Sequence, residues 1–131
     1  MLDHITLLVK DIEQSKAFFT KALTPLGYKL VAERGNTAGY GVEDKPGLRD
    51  FWIKQKDAFP PFPSFTCFAF KASNKQQVDD FYTSALEAGG IDNGAPGYRT
   101  KYYPGYYAAF VHDPNGYNIE VVFDDPNPPQ S

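Results

Sequence analysis

Residues 4–27, HITLLVKDIEQSKAFFTKALTPLG, align without a gap on residues 67–90, CFAFKASNKQQVDDFYTSALEAGG. Identical residues stand at Gln14/Gln77, Phe18/Phe81, Thr20/Thr83, Ala22/Ala85, Leu23/Leu86 and Gly27/Gly90, and Phe19 answers to Tyr82. An amphipathic helix alone would produce some of these matches by chance. The shared strand before it and the shared glycine after it mark a duplication.

Each copy opens on an alternating run. In Ile5-Thr6-Leu7-Leu8-Val9, one strand face carries Ile5, Leu7 and Val9 and the other carries His4, Thr6 and Leu8. Capping-box patterns, Asp11 with Gln14 and Ser73 with Gln76, then announce a helix in each copy. Ser15, Phe18, Phe19, Ala22, Leu23 and Leu26 recur at helical spacing, as do Val78, Phe81, Tyr82, Ala85 and Leu86, a pattern that reads as packing against a sheet.

Strands are expected next at residues 28–33, 37–42 and 50–54, separated by Arg34-Gly35-Asn36 and Asp44-Lys45-Pro46-Gly47. In the second copy, strands at residues 106–112 and 117–123 flank the hairpin signal Asp113-Pro114-Asn115-Gly116. A fainter strand lies around residues 91–93, before the loop signal Gly94-Ala95-Pro96-Gly97. Phe59-Pro60-Pro61-Phe62-Pro63 excludes a helix or a central strand and links the copies.

One strand, one helix and three strands, twice over, predict an α+β fold of two tandem βαβββ modules. The helices would cover one face of the sheets, leaving the opposite face to curve around a shared cavity. The expected boundaries are a single domain over residues 1–123, with module one at 2–57, a linker at 58–65 and module two at 66–123. Residues 124–131, with three prolines, read as a flexible tail.

Composition narrows the function. A chain of 131 residues is one domain's worth. Two His and one Cys exclude a disulfide framework and any closed zinc site built from Cys and His alone. A net charge of −3 without a basic stripe argues against a nucleic-acid partner. No stretch approaches the ~18 apolar residues of a membrane helix, and Met1-Leu2-Asp3-His4 opens without a signal-peptide pattern, so no membrane and a cytoplasmic location are expected.

Equivalent positions of a duplicated fold gather around its pseudo-twofold axis. His4 answers to Cys67, and aligning Asp44-Lys45-Pro46-Gly47 on Asp113-Pro114-Asn115-Gly116 pairs Phe51 with Glu120. Glu120 interrupts the apolar run Ile119-Glu120-Val121-Val122-Phe123, where a carboxylate is costly unless paired, hydrated or metal-bound. Tyr102, Tyr103, Tyr106 and Tyr107 could line the mouth of a cavity or simply pack over a Pro/Gly-rich loop. Arg99 close by could pair a substrate carboxylate bidentately or stand solvated. His112, just before the Asp-Pro turn, reads as solvent-facing. No phosphate loop, nucleophile elbow or paired-His metal helix is present.

Asp3-His4-Ile5 through Asp11, Phe18-Phe19 and Leu26-Gly27, then residues 78–90, and above all Phe110-Val111-His112-Asp113-Pro114-Asn115-Gly116-Tyr117-Asn118-Ile119-Glu120, carry a resemblance. Over about residues 2–123 the chain resembles the vicinal oxygen chelate superfamily, which includes glyoxalase I, extradiol dioxygenases and the bleomycin- and fosfomycin-resistance proteins. The resemblance implies a single divalent metal held from the first and last strands of each module. His4 and Glu120 match two ligand positions, and Cys67 stands where a His is expected. Phe51, or Trp52 with a one-residue bulge, fills the last corner and binds no metal. Tyr103 replaces a His common in one glyoxalase-like subgroup.

Two readings follow from the resemblance. In one, a glyoxalase-type lyase or isomerase acts on an unidentified small molecule. Its metal would be zinc if His4, Glu120 and Cys67 all bind it, with Glu120 moving a proton next to a carbonyl; a metal-independent version pairs Glu120 as base with His4 or Tyr103 as acid. Phe51, Trp52, Arg99, Tyr106 and Tyr107 would contact substrate. In the other, Cys67 is apolar filler, no metal is held, and the protein binds a small molecule as the bleomycin-resistance branch does. Ring-cleaving dioxygenase chemistry is the weaker match, since iron(II) there wants two His and a carboxylate. A homodimer is compatible with both.

Overall fold

A computed structural model describes residues 2–43, 49–57 and 67–129. β1 (Ile5–Val9) leads into α1 (Ile12–Leu23), a 3-10 turn at Thr24–Leu26, β2 (Tyr28–Arg34), β3 (Thr37–Val42) and β4 (Phe51–Gln55). β5 (Cys67–Lys71), α2 (Lys75–Glu87), β6 (Ile91–Tyr98), β7 (Tyr106–His112) and β8 (Asn118–Asp124) repeat the series. The two four-stranded sheets have the same order, β1-β4-β3-β2 and β5-β8-β7-β6, with the first and last strands of each module parallel neighbours. This is the tandem βαβββ architecture that the duplication requires. The expected linker at 58–65 and the turn at 44–47 lie outside the described residues.

Local chemistry sets the helix starts. Asp11 caps α1, its Oδ1 accepting from the Glu13 and Gln14 amides at 3.0 and 3.2 Å. No bond from the Asp11 amide back to the Gln14 side chain closes the expected box among the described residues; the next amide, that of Ile12, donates to Gln55 Oε1 of β4 at 2.8 Å. In α2 the box sits one residue later than Ser73/Gln76. Asn74 Oδ1 accepts from the Gln77 amide at 2.9 Å, and Gln77 Oε1 accepts from the Ser73 amide at 2.7 Å. Asn caps as well as Ser, and with Lys75 first in the helix the third position falls on Gln77.

Two further expectations need correction. Gly94-Ala95-Pro96-Gly97 is not a loop but the irregular middle of β6, whose register against β7 shifts on both sides of Gly94. As an outer strand paired on one side only, β6 accommodates the bulges and a proline that a central strand would refuse. The tail does not begin at Asp124, which ends β8. Asp125 is held as well, its amide on the Gly105 carbonyl at 2.8 Å and its Oδ2 taking the Tyr98 hydroxyl at 2.6 Å.

The helix-bearing faces of both sheets share one core. Leu7, Val9, Phe51 and Ile53 of module one and Phe70, Val111, Ile119 and Val121 of module two are buried with Phe18, Phe19 and Phe81 from the helices. Phe51 meets Phe19 and Phe70 edge-on, with ring centroids 5.0 and 5.2 Å apart. The Asp113–Gly116 turn clasps the modules together. Asn115 Oδ1 accepts from the Lys10 amide at 3.0 Å, Asn115 Nδ2 donates to Ser15 Oγ at 3.2 Å, and the Tyr117 hydroxyl donates to the Leu8 carbonyl at 2.9 Å. Buried Asp113 anchors the turn by accepting from the Asn115 and Tyr117 amides at 3.0 and 2.8 Å.

Gly27 and Gly90, identical in the repeat, serve different ends. Gly27 turns the chain at φ 84°, a region that favours glycine, while Gly90 is required by crowding. A Cβ on Gly90 would lie 2.5 Å from Val111 Cγ1, 2.8 Å from the Ala85 carbonyl oxygen and 2.9 Å from Phe18 Cε1. Gly90→Ala is therefore expected to destabilise by about 1–3 kcal/mol, read as a lowered denaturation midpoint in urea. An unchanged midpoint would show that α2 and β7 are not packed this closely.

Candidate functional site

Strand parity in module two turns Ile119 and Val121 to the core and Glu120 to the opposite face. Cross-strand pairing sets Glu120 beside Ala69 of β5 and Phe110 of β7. Only 5% of Glu120 is exposed, so its carboxylate needs donors. The Tyr106 hydroxyl donates to Oε1. The Cys67 thiol donates to Oε2 at 3.6 Å. Asn118 Nδ2 donates in turn to Cys67 Sγ at 3.2 Å, and Asn93 Nδ2 to Asn118 Oδ1 at 3.0 Å.

Partial desolvation first, then the Glu120 carboxylate, hold the Tyr106 phenol well above its ordinary pKa. The same two causes raise the Cys67 thiol, although much of that residue is exposed. Both donors thus stay protonated at neutral pH. Glu120 has one donor on each oxygen and spare acceptor capacity on both. A buried carboxylate next to a phenol, in a place water barely reaches, is equipped to take up and return a proton.

The other expected site residues divide. Tyr103 is not the phenol at Glu120: its hydroxyl donates to Asp124 Oδ1, and its ring stands edge-on to Tyr106 with centroids 5.1 Å apart. Tyr102 also meets Tyr106, at 4.9 Å, so the three rings form one cluster around the phenol that donates to Glu120. Tyr107 points the other way, toward α2, where its hydroxyl donates to Asp79 Oδ1 at 2.7 Å. Arg99 lies on the Glu120 face, its Cζ 5.4 Å from the centre of the Phe110 ring.

In module one, Phe51 faces the core, 1% exposed, and Trp52 faces away from it. The register settles which of them matches Glu120. Thr6 pairs with Trp52 as its repeat counterpart Ala69 pairs with Glu120, so Trp52, not Phe51, is the counterpart. Its indole lies against Gly39, where a Cβ would fall 2.7 Å from the ring. His4 is exposed, with Nδ1 2.8 Å from Asp3 Oδ1, on the wall of a cavity of about 440 Å³ at the seam between modules. Neither Cys67 nor Glu120 lines that cavity.

A divalent ion would need about three protein donors and an open position. Among the described residues no three His, Cys, Asp or Glu side chains come together for one. Cys67 stands beside Glu120, but His4 lies on a cavity that neither of them lines, and Trp52 at the matching corner has no lone pair to offer. The donor set of a single chain does not fit the group.

Cys67 is the only cysteine, so its chemistry can be read directly. Its alkylation by iodoacetamide should rise with pH through a midpoint above that of a free thiol, because the thiolate is suppressed. Glu120→Gln removes one of the two causes and should move that midpoint down. A midpoint at the free-thiol value in the unaltered protein would rule out the Cys67–Glu120 pairing.

Residues 1–121 match the family model of the glyoxalase/bleomycin resistance protein/dioxygenase superfamily. The chain belongs to this superfamily. It is 32% identical to the uncharacterized protein YqjT of Bacillus subtilis, over 92% of this chain and 97% of that protein. A glyoxalase/bleomycin resistance protein of Albidiferax ferrireducens superposes with a TM-score of 0.79 at 25% identity, covering 94% of this chain and 98% of the other. A family enzyme of Burkholderia phytofirmans, 18% identical, shares the fold with a TM-score of 0.66 over 93% and 97% of the two chains. No helix among the described residues is long and apolar enough to cross a membrane.

The residues that sequence reasoning undervalued are Tyr106, Phe110 and Asn118. Alternation along β7 and β8 puts Tyr106 and Phe110 on one face with Glu120, and that signal was present in the spacing. The hydroxyl-to-carboxylate contact was not, since it depends on the ring cluster above it.

Proposed function

We propose that this superfamily member catalyses proton transfer on a small carbonyl compound, a lyase- or isomerase-type reaction with Glu120 as the base. One observation carries the reading: Glu120 is buried on the face away from the core, with each oxygen bonded to a donor that stays protonated.

Glu120 takes a proton from the carbon next to the carbonyl. The C–H bond breaks, and its electron pair moves into an enolate. Once Glu120 is neutral it holds the Tyr106 proton less strongly, and that hydroxyl becomes available to the oxygen on which charge develops. Returning the proton to the same carbon completes exchange; in an α-hydroxy carbonyl compound, returning it to the former carbonyl carbon while the α-hydroxyl proton passes to the enolate oxygen completes isomerisation. The Tyr102–Tyr103–Tyr106 cluster would supply apolar contact for the molecule handled. β1 and β2 of one sheet and β5 and β6 of the other are the outer strands, leaving edges on which a second copy can pair.

The test is solvent deuterium incorporation, by mass spectrometry, into a panel of enolisable aldehydes, ketones and oxo acids in heavy water containing a chelator. Catalysed incorporation is expected for at least one of them. If exchange vanishes with chelator and returns with zinc, the metal-assisted reaction replaces this one. If no compound exchanges but several raise the melting temperature, the protein is a binder.

A further inference from the structure

Arg99 is laid flat against the sheet. Nη1 donates to the Gly97 carbonyl at 2.8 Å and Nη2 to the Ala95 carbonyl at 2.7 Å. The Phe110 ring lies against the guanidinium carbon. Glycines leave it room: a Cβ on Gly94 would lie 3.1 Å from Nη2, and one on Gly97 would lie 3.1 Å from Nη1. Either would crowd the guanidinium, which would have to give by a few tenths of an ångström. The irregular middle of β6 is therefore a cradle for one side chain, which explains why that strand carries two glycines there.

The cradle consumes two of the five guanidinium N–H groups and neutralises none of the charge. No carboxylate pairs with Arg99 among the described residues, although Asp and Glu hold Lys16, Lys21, Lys29 and Lys71 elsewhere. Phe110 is the direct cross-strand neighbour of Glu120, so Arg99, Phe110 and Glu120 form a row across β6, β7 and β8 on one face. Two strand spacings separate the ends of the row, on the order of 10 Å.

We propose that Arg99 anchors a carboxylate, so that the molecule handled at Glu120 carries a carboxylate at one end and a reacting carbon at the other. A flat or apolar segment resting on Phe110 would join the two. This rests on Glu120 as the base. A single guanidinium with a carboxylate at the far end of the row suits a singly charged anion. A phosphate ester carries a second negative charge, which one guanidinium does not balance. A planar fork favours the planar carboxylate further.

The probe is 3-phenylpropionate, titrated into the full chain and followed by amide and side-chain NMR, with 3-phenylpropanol and inorganic phosphate as comparisons. The carboxylate should move the signals of Arg99, Phe110 and the β8 residues around Glu120 and saturate. The alcohol should bind at least about tenfold more weakly, for want of a charge-assisted pair. Phosphate at equal concentration should leave those signals in place. Arg99→Gln should lose the preference for acid over alcohol, and Arg99→Lys should keep only part of it.

Equal binding of acid and alcohol by the unaltered protein would overturn the proposal without any variant, which covers the case that Arg99→Gln loosens β6. Displacement of the acid by phosphate would overturn the choice of carboxylate. Glu120→Gln should still bind 3-phenylpropionate, more tightly if anything, since a nearby negative charge is gone. If acid binding depends on Arg99 but deuterium exchange does not depend on Glu120, the anchor stands and the catalytic reading falls. If neutral ketones exchange as fast as oxo acids in a Glu120-dependent way, the reverse holds.

Discussion

Glu120→Gln should reduce deuterium incorporation at least about a hundredfold, the scale of losing a positioned general base, while the protein stays folded. The substitution keeps the shape of the side chain. Its carbonyl oxygen can still accept from Tyr106, and the amide nitrogen replaces the oxygen that took the Cys67 thiol. One weak contact to sulfur is lost, a loss of about 1 kcal/mol or less. Unchanged near-ultraviolet dichroism with exchange at the background rate is the expected pair of results. Exchange at the rate of the unaltered protein would remove Glu120 from the chemistry. Loss of the fold together with exchange would make it a structural carboxylate, held for the Tyr106 and Cys67 donors. Tyr106→Phe completes the comparison: it keeps the ring cluster and the base but loses the hydroxyl, so a smaller loss of rate is expected.

Phe51→Ala should be the costliest single change in β4, destabilising by about 3–5 kcal/mol and lowering Tm by on the order of 10 °C. Phe51 is 1% exposed and meets Phe19, Phe70 and Tyr40, so truncation opens a cavity where both modules share their core. Trp52→Ala, one residue along, should cost less despite the larger ring. Its indole lies on the far face against Gly39, part-exposed, with its N–H on the Arg49 carbonyl at 2.9 Å. Thermal denaturation of the two variants gives the orientation of β4 directly. A larger loss for Trp52→Ala would mean that the strand presents its other face to the core, and would return Phe51 to the outer face.

Most of the framework was legible because it is written in short-range regularities. Alternation in residues 5–9 and the helical recurrence from Ser15 to Leu26 each need only a local window, and β3 and β7 begin and end where turn residues bracket them. Errors arose where competing local options were close in energy. Ser73 and Asn74 are both good caps, and the helix start chose between them. The Gly94–Gly97 segment has loop composition, yet pairing with β7 draws it into an outer strand at the cost of two irregularities.

The candidate site was legible in a different degree. Glu120 stood out as a carboxylate in an apolar run, and Arg99 and Tyr106 were marked by type. Their roles depend on atoms brought together from strands far apart in the chain. Pairing Phe51 with Glu120 failed by one residue, and one residue in a strand exchanges the two faces.

The sequence by itself therefore determined the duplication, the two βαβββ modules and Glu120 as the costly group, because period and repetition are properties of a line of residues. Only the tertiary structure decided that Tyr106 rather than Tyr103 meets Glu120, that Trp52 is its counterpart, and that Cys67 joins it while His4 does not. Those outcomes follow from register, ring packing and the closing of both helix-bearing faces on one core. Each is a balance among contacts across the whole chain, which no local window contains.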